Sequence, residues 1–207
     1  MAWLKRELSL PFHQLDWKRK NRVGRLFLEH ALLISDIMVA VELACRNQPE
    51  IRLLVPDENR LRPFQWNVEV GNGIKCGVIP DRVFGLEFTD KSGRQNQSWF
   101  FLEADRATMP VVRGDLNQSS VYRKYLAYEA TWARNIHTTK FNWNRFRVLT
   151  VTSSPGRIAT LQKAVCSLKR GHGLFLFLDK KSLSGNKDFF ALRWQTSREK
   201  ETVELLG

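Results

Sequence analysis

Four residues have types and spacing that could do chemistry: Asp81, Glu103, Asp105 and Lys124. Asp81 follows Pro80 at a turn into an alternating segment, Arg82–Thr89. Glu103 and Asp105 stand two apart at the end of the apolar run SWFFLEAD, so on a strand both point to one face. The opposite face takes Phe100, Leu102 and Ala104, so the acidic face is not simply a solvated one. Asp81, at the start of the neighbouring strand, can reach the same end of the sheet. Two or three carboxylates converging at a strand end form a hard-oxygen cage suited to magnesium or manganese. A metal there would activate a bound water and stabilise charge on a phosphate. Lys124 lies at i+3 from Val121 and i−4 from Tyr128, bordering the helical stripe that would pack on the sheet. Its ammonium could be aimed at a scissile phosphate, in a site that works by holding metal, water and phosphate in place. Taken singly, each residue has a plainer role: Asp81 capping a turn, Glu103 and Asp105 paired with Arg82 and Arg106, Lys124 on the surface.

The elements that must position these residues follow from periodicity. Residues 24–46 repeat apolar side chains at helical spacing (Leu26, Phe27, His30, Leu33, Ile34, Ile37, Met38, Val41) and end before Pro49. Residues 1–21 carry the basic cluster Lys18-Arg19-Lys20 and read as an arm or linker, with one domain over 22–207. Residues 48–65 read as irregular. Trp66–Val70 and Ile74–Ile79 flank Gly71-Asn72-Gly73 and read as a hairpin, since Asn-Gly and Gly supply positive φ. Arg82–Thr89 and Ser98–Ala104 read as strands joined by a turn at Asp90-Lys91-Ser92-Gly93. A helix is expected over Gln118–Asn135 and a strand over Arg145–Thr152. A further helix to about Arg170 is expected behind Ser153, Ser154 and Pro155, which suit an N-cap and a first helical position. After Gly171-His172-Gly173 come a buried strand at Leu174–Leu178 and a last one near Phe189–Trp194. The order is that of a layered α/β sheet flanked by helices.

With 207 residues, 43% hydrophobic and 26% charged, the chain can bury a substantial core, and neither disorder nor a collagen-like repeat is its main state. Its net charge of +12 (pI ≈ 10.0) calls for an anionic partner, nucleic acid ahead of a membrane surface. Residues 1–105 hold 15 basic and 14 acidic side chains, and residues 171–207 hold 6 and 5. The excess therefore lies in residues 106–170, with 12 basic and 2 acidic, a net of +10. Arg106, Arg113, Arg123, Arg134, Lys140, Arg145 and Arg147 are the candidates for gripping a nucleic-acid backbone. The interleaved aromatics, Tyr122, Tyr125, Tyr128, Trp132, Phe141, Trp143 and Phe146, suit either base stacking or a core, and the core is favoured. Cys45, Cys76 and Cys166 are odd in number and far apart, as for buried thiols in a reducing cytoplasm. Neither a signal-peptide core nor a membrane-length apolar run is present.

The order Pro80-Asp81, Glu103-x-Asp105, then a helix with Lys124 and Tyr125 resembles the PD-(D/E)XK nuclease-like superfamily. More narrowly, FLEHALLISDIMVAVELA, VIPDRVFGLEF, FFLEADRAT and YRKYLAY resemble the replication-relaxation family of plasmid and mobile-element proteins, over roughly residues 22–135. The resemblance implies a mixed central sheet with an α-β-β-β-α-β core and an α-β extension. It implies Asp81, Glu103 and Asp105 as ligands of magnesium or manganese, and DNA and other replication or mobilisation proteins as partners. Two departures stand out. A (D/E)XK site has Lys where Asp105 stands, so the Lys role passes to Lys124. Family members also resemble a winged helix-turn-helix followed by the nuclease-like domain, and this chain begins almost at the second part, as a fragment or a protein without that module would.

Other candidates carry less. Glu69 could add a carboxylate or be an exposed hairpin charge. His30 on the apolar side of its helix reads as a satisfied core histidine. His13, His137 and His172 are isolated, and Tyr122, Tyr125 and Tyr128 at helical spacing read as packing rather than as nucleophiles for covalent nicking. No GxSxG, P-loop or GxGxxG is present. Two functions follow: a cytoplasmic metal-dependent DNA endonuclease or nickase of plasmid replication or mobilisation, or a non-catalytic DNA-binding or assembly protein with a degenerate nuclease fold.

Overall fold

A computed structural model describes residues 20–56, 64–71, 73–89, 92–184 and 188–206. Its helices are α1 (Lys20–Asn47), α2 (Val121–Ala133), α3 (Ile136–Phe141) and α4 (Pro155–Cys166). Its strands are β1 (Ile51–Leu54), β2 (Trp66–Glu69), β3 (Lys75–Val78), β4 (Arg82–Thr89), β5 (Gln95–Asp105), β6 (Phe146–Thr152), β7 (Phe175–Asp179), β8 (Trp194–Gln195) and β9 (Thr202–Val203). The expected arm lies outside the described residues except for residues 20 and 21, which already belong to α1. Asn72, Asp90 and Lys91 of the two expected turns also lie outside them.

Seven strands form the central sheet in the order β1-β4-β5-β6-β7-β8-β9. The pairs β4/β5, β7/β8 and those outside them are antiparallel, while β5/β6 and β6/β7 are parallel. A parallel step needs a crossover, and α2 with α3, then α4, supply them. Alternation along β5 divides its side chains between two cores. Phe101 joins Tyr125 and Tyr128 of α2 and Ile158, Leu161 and Val165 of α4. Phe100 and Leu102 join Ile37, Val41 and Ala44 of α1. Because the step is two residues, Glu103 and Asp105 must follow Phe101 onto the α2/α4 face.

The expected hairpin forms, but as a separate two-stranded sheet. It packs on α2 and buries Trp66, Val68, Cys76 and Val78 in that helix's core. The Trp66 indole N–H donates to Thr131 Oγ1 at 2.8 Å, fixing it there. The region expected to be irregular contains β1, a four-residue edge strand in register Ile51↔Phe88, too short to show a period. The expected helix over 118–135 begins at Val121, with Ser120 as its N-cap. It is broken at Asn135, whose left-handed φ of 54° separates α2 from α3. No regular strand covers Phe189–Phe190, because Asp188 Oδ1 accepts from the Phe190 N–H at 2.9 Å and turns the chain. Phe189, Phe190 and Leu192 still reach the α1-side core. Gly85 is needed for contact: a Cβ there would stand 2.9 Å from the Trp99 ring, whose other neighbour is Trp143, stacked at 4.4 Å.

Candidate functional site

The strand ends nearest α2 and α4 enclose a pocket of about 260 Å³, lined among others by His30, Asp81, Glu103, Asp105, Arg106 and Lys124. Each carboxylate arrives from a different local device. The Asp81 backbone N–H donates to the Leu102 carbonyl at 3.1 Å, and its Oδ2 accepts from the Ala104 N–H at 2.8 Å, so Asp81 stitches the start of β4 to the end of β5. Its Oδ1 faces His30 Nε2 at 3.3 Å. Glu103 is buried, with Lys124 Nζ on Oε2 and the Tyr128 hydroxyl on Oε1. Lys124 and Tyr128 are one turn apart on α2, so they close on Glu103 together. Asp105 receives a fork from Arg157, Nε to Oδ2 at 2.8 Å and Nη2 to Oδ1 at 2.9 Å, with Thr152 Oγ1 donating to Oδ2 at 2.7 Å. Ser154 caps α4 by accepting from the Arg157 N–H at 3.3 Å, and this sets the guanidinium in front of Asp105.

These surroundings drive the two neighbouring acids apart. Burial raises Glu103, with the Asp81 charge adding, and Lys124 and Tyr128 bring it back only to about 7. Burial also works against ionisation of Asp105, but the hydrogen bonds from Arg157 and Thr152 and the guanidinium charge hold it below the usual carboxylate range. Burial alone would lower Lys124; the charges of Glu103 and Asp81 outweigh it and lift the ammonium above its ordinary value. Burial pushes the hydroxyls of Tyr125 and Tyr128 far up, so neither ionises readily. Tyr125 instead shares a hydrogen bond with Thr150 at 3.1 Å.

The structure thus gathers Asp81, Glu103, Asp105 and Lys124 at one strand end. The plain partners considered for the acids are replaced: Lys124, not Arg82, meets Glu103, and Arg157, not Arg106, meets Asp105. His30 is not a core histidine but half-exposed at the pocket wall. Arg157, Tyr128 and Thr152 are contributors that sequence reasoning missed. The Ser-Pro-Gly-Arg start of α4 was the available signal for Arg157. Glu69 is not among the residues lining this pocket; it stands on the separate hairpin, 3.7 Å from Arg134.

The candidate backbone-gripping cations do not form one surface. Arg106 lines the pocket, and its buried Nη1 meets no acceptor among the described residues. Arg113 is tied to the Ser119 carbonyl and to Gln118. Arg123 donates to the Lys75 carbonyl at 3.3 Å. Arg134 pairs with Glu69, and Lys140 is exposed on α3. Arg145 and Arg147 line a different cavity.

The donor set at the pocket bears on the expected metal. Five of the six oxygens of Asp81, Glu103 and Asp105 accept hydrogen bonds from the chain itself, and the sixth faces His30. Among the described residues, no group of three or more His, Cys, Asp or Glu side chains is arranged to hold a metal ion. Magnesium requires near-octahedral oxygen donors. The residues as they stand do not fit it.

The replication-relaxation family matches residues 10–144, about two thirds of the chain. The chain belongs to that family. This replication-relaxation protein contains every residue of the acidic pocket except Arg157 and Thr152 within the matched segment. Membership points to a role in plasmid or mobile-element replication. No curated protein and no solved structure shows significant similarity to it. Among the described residues, no helix is long and apolar enough to cross a membrane.

Proposed function

We propose that this replication-relaxation protein binds DNA during plasmid or mobile-element replication, and that its nuclease-like acidic pocket is a structural remnant without hydrolytic activity. The observation that carries this reading is that the chain's own donors already engage five of the six carboxylate oxygens, with the Lys124 ammonium on Glu103 and the Arg157 guanidinium on Asp105. Lys124 and Arg157 already place next to Glu103 and Asp105 the positive charge that a metal would supply. Support for DNA as partner comes from the +10 stretch at residues 106–170 and from Arg106, a guanidinium that lines the pocket.

Two measurements on supercoiled plasmid and on short duplexes test the reading. Binding is expected to weaken steeply with salt, since each neutralised phosphate releases counterions. No nicking is expected with magnesium or manganese. Nicking that disappears in Asp81→Ala and Glu103→Ala would overturn the proposal and make the protein a metal-dependent endonuclease. Binding with a flat salt dependence would remove DNA as the partner.

A further inference from the structure

A second cavity, of about 280 Å³, lies at the other end of the central sheet, lined by Phe88, Ser98, Trp99, Arg145, Arg147 and Leu205 among others. On β6, Arg147 alternates with Leu149 and Val151, which join the α1-side core, so it projects from that face. The register sets Arg147 beside Phe100 and Thr152 beside Asp105. Arg147 is therefore five residues, roughly 17 Å, down the strand from the acidic pocket.

Among the described residues, no acidic side chain lines this cavity. Arg145 Nε donates to the Gln97 carbonyl and Arg147 Nη1 to the Leu205 carbonyl, each at 3.4 Å, at the long limit of a hydrogen bond. Among the described residues neither guanidinium forms an ion pair; Arg145 lies 5.9 Å from the Phe88 ring centre. Burial and the Arg145 charge pull Arg147 below the usual guanidinium range. Two like charges, one half-buried, without a counter-charge are costly to fold around. An anion between them would relieve that cost, and planar guanidinium forks match phosphate oxygens in pairs. The Trp99 ring does not offer a stacking face for a base. Trp99 is sandwiched between Trp143 and Gly85.

We propose that Arg145 and Arg147 form a phosphoryl-binding pocket, separate from the acidic pocket, that holds a phosphate group. The inference stands independently of the function proposed above. The phosphate could belong to a nucleic-acid backbone or to a free or terminal phosphate.

The test uses the full chain with R145Q, R147Q and the charge-conserving R147K. Thermal midpoints are compared in inorganic phosphate and in chloride at equal ionic strength, and a labelled single-stranded oligonucleotide is titrated across a salt series. Phosphate is expected to raise the midpoint of the wild type; the increment should vanish in R145Q and R147Q and persist in part in R147K. If the backbone is the source, each Gln variant also lowers the log–log salt slope by about 0.7. A lost phosphate increment with an unchanged slope assigns the pocket to a free or terminal phosphate. Should R147Q fail to fold, as judged by its circular dichroism, the exposed Arg145 carries the test through R145Q. No phosphate-specific increment in the wild type, together with unchanged slopes in the Gln variants, overturns the pocket. Absence of all oligonucleotide binding with the phosphate increment intact would sink the DNA-binding reading and leave the pocket standing.

Discussion

The two ends of the central sheet handle charge in opposite ways. At the α2/α4 end, three carboxylates, an ammonium and a guanidinium sit in a small pocket, and nearly every one has its counterpart. At the other end, Arg145 and Arg147 form no ion pair among the described residues and reach carbonyls only at 3.4 Å. A buried charge that is fully paired stabilises its neighbours and has little left for a ligand. A pair of like charges without a partner does the reverse. The clustering of catalytic-type residues is therefore a weaker sign of binding here than the absence of a counter-charge elsewhere.

The largest effect should come from breaking a satisfied pair. Arg157→Leu leaves Asp105 almost buried without its fork, and chemical denaturation should show a loss of about 3 kcal/mol. A loss below about 1 kcal/mol would mean that water replaces the guanidinium and that the site is open after all.

Next in size is a pH effect. Glu103 titrates near 7 in the folded chain against an ordinary 4.5, so its contribution is complete below about pH 4.5 and is lost as pH rises through 7. Asp105, held low, contributes in the opposite sense: its share is present above the ordinary carboxylate range and lost as pH falls through its depressed value. Glu103→Gln should therefore abolish a decline in stability between pH 4.5 and 7 on the order of 3 kcal/mol. Denaturant midpoints at pH 5 and 7.5 read this, and a decline that survives the substitution would show that Glu103 is not its origin.

A smaller change is expected from Lys124→Met. Removing the ammonium that opposes burial should move the Glu103 titration above 7, visible in its side-chain carboxyl resonance. An unmoved titration would dissociate Lys124 from Glu103. The smallest effect belongs to the other end of the sheet. Arg145→Gln should change stability by less than about 0.5 kcal/mol, because it relieves repulsion and removes only one long hydrogen bond. A loss as large as that of Arg157→Leu would erase the contrast between the two regions.

Much of this architecture was legible in the chain. The alternation of SWFFLEAD put Glu103 and Asp105 on one face, and the Lys124–Tyr128 spacing put both side chains on one side of α2. The hairpin was legible as a hairpin but not as a separate sheet, since local turn chemistry says nothing of what a strand pair packs against. Arg157 was invisible because its partner is 52 residues away, across a parallel crossover. The surplus charge of residues 106–170 marks candidates for gripping a nucleic-acid backbone, but not where they face: on β6, Thr152 turns to the acidic pocket and Arg147 to the opposite face.

By itself, the sequence determined which residues are charged, how the net of +12 is distributed, and which side chains share a face, because those depend on composition and on the local periods of helix and strand. Only the tertiary structure decided which charges are neutralised. That depends on which elements meet in space: α4 delivers Arg157 to Asp105, while among the described residues no acidic side chain lines the cavity beside Arg145 and Arg147.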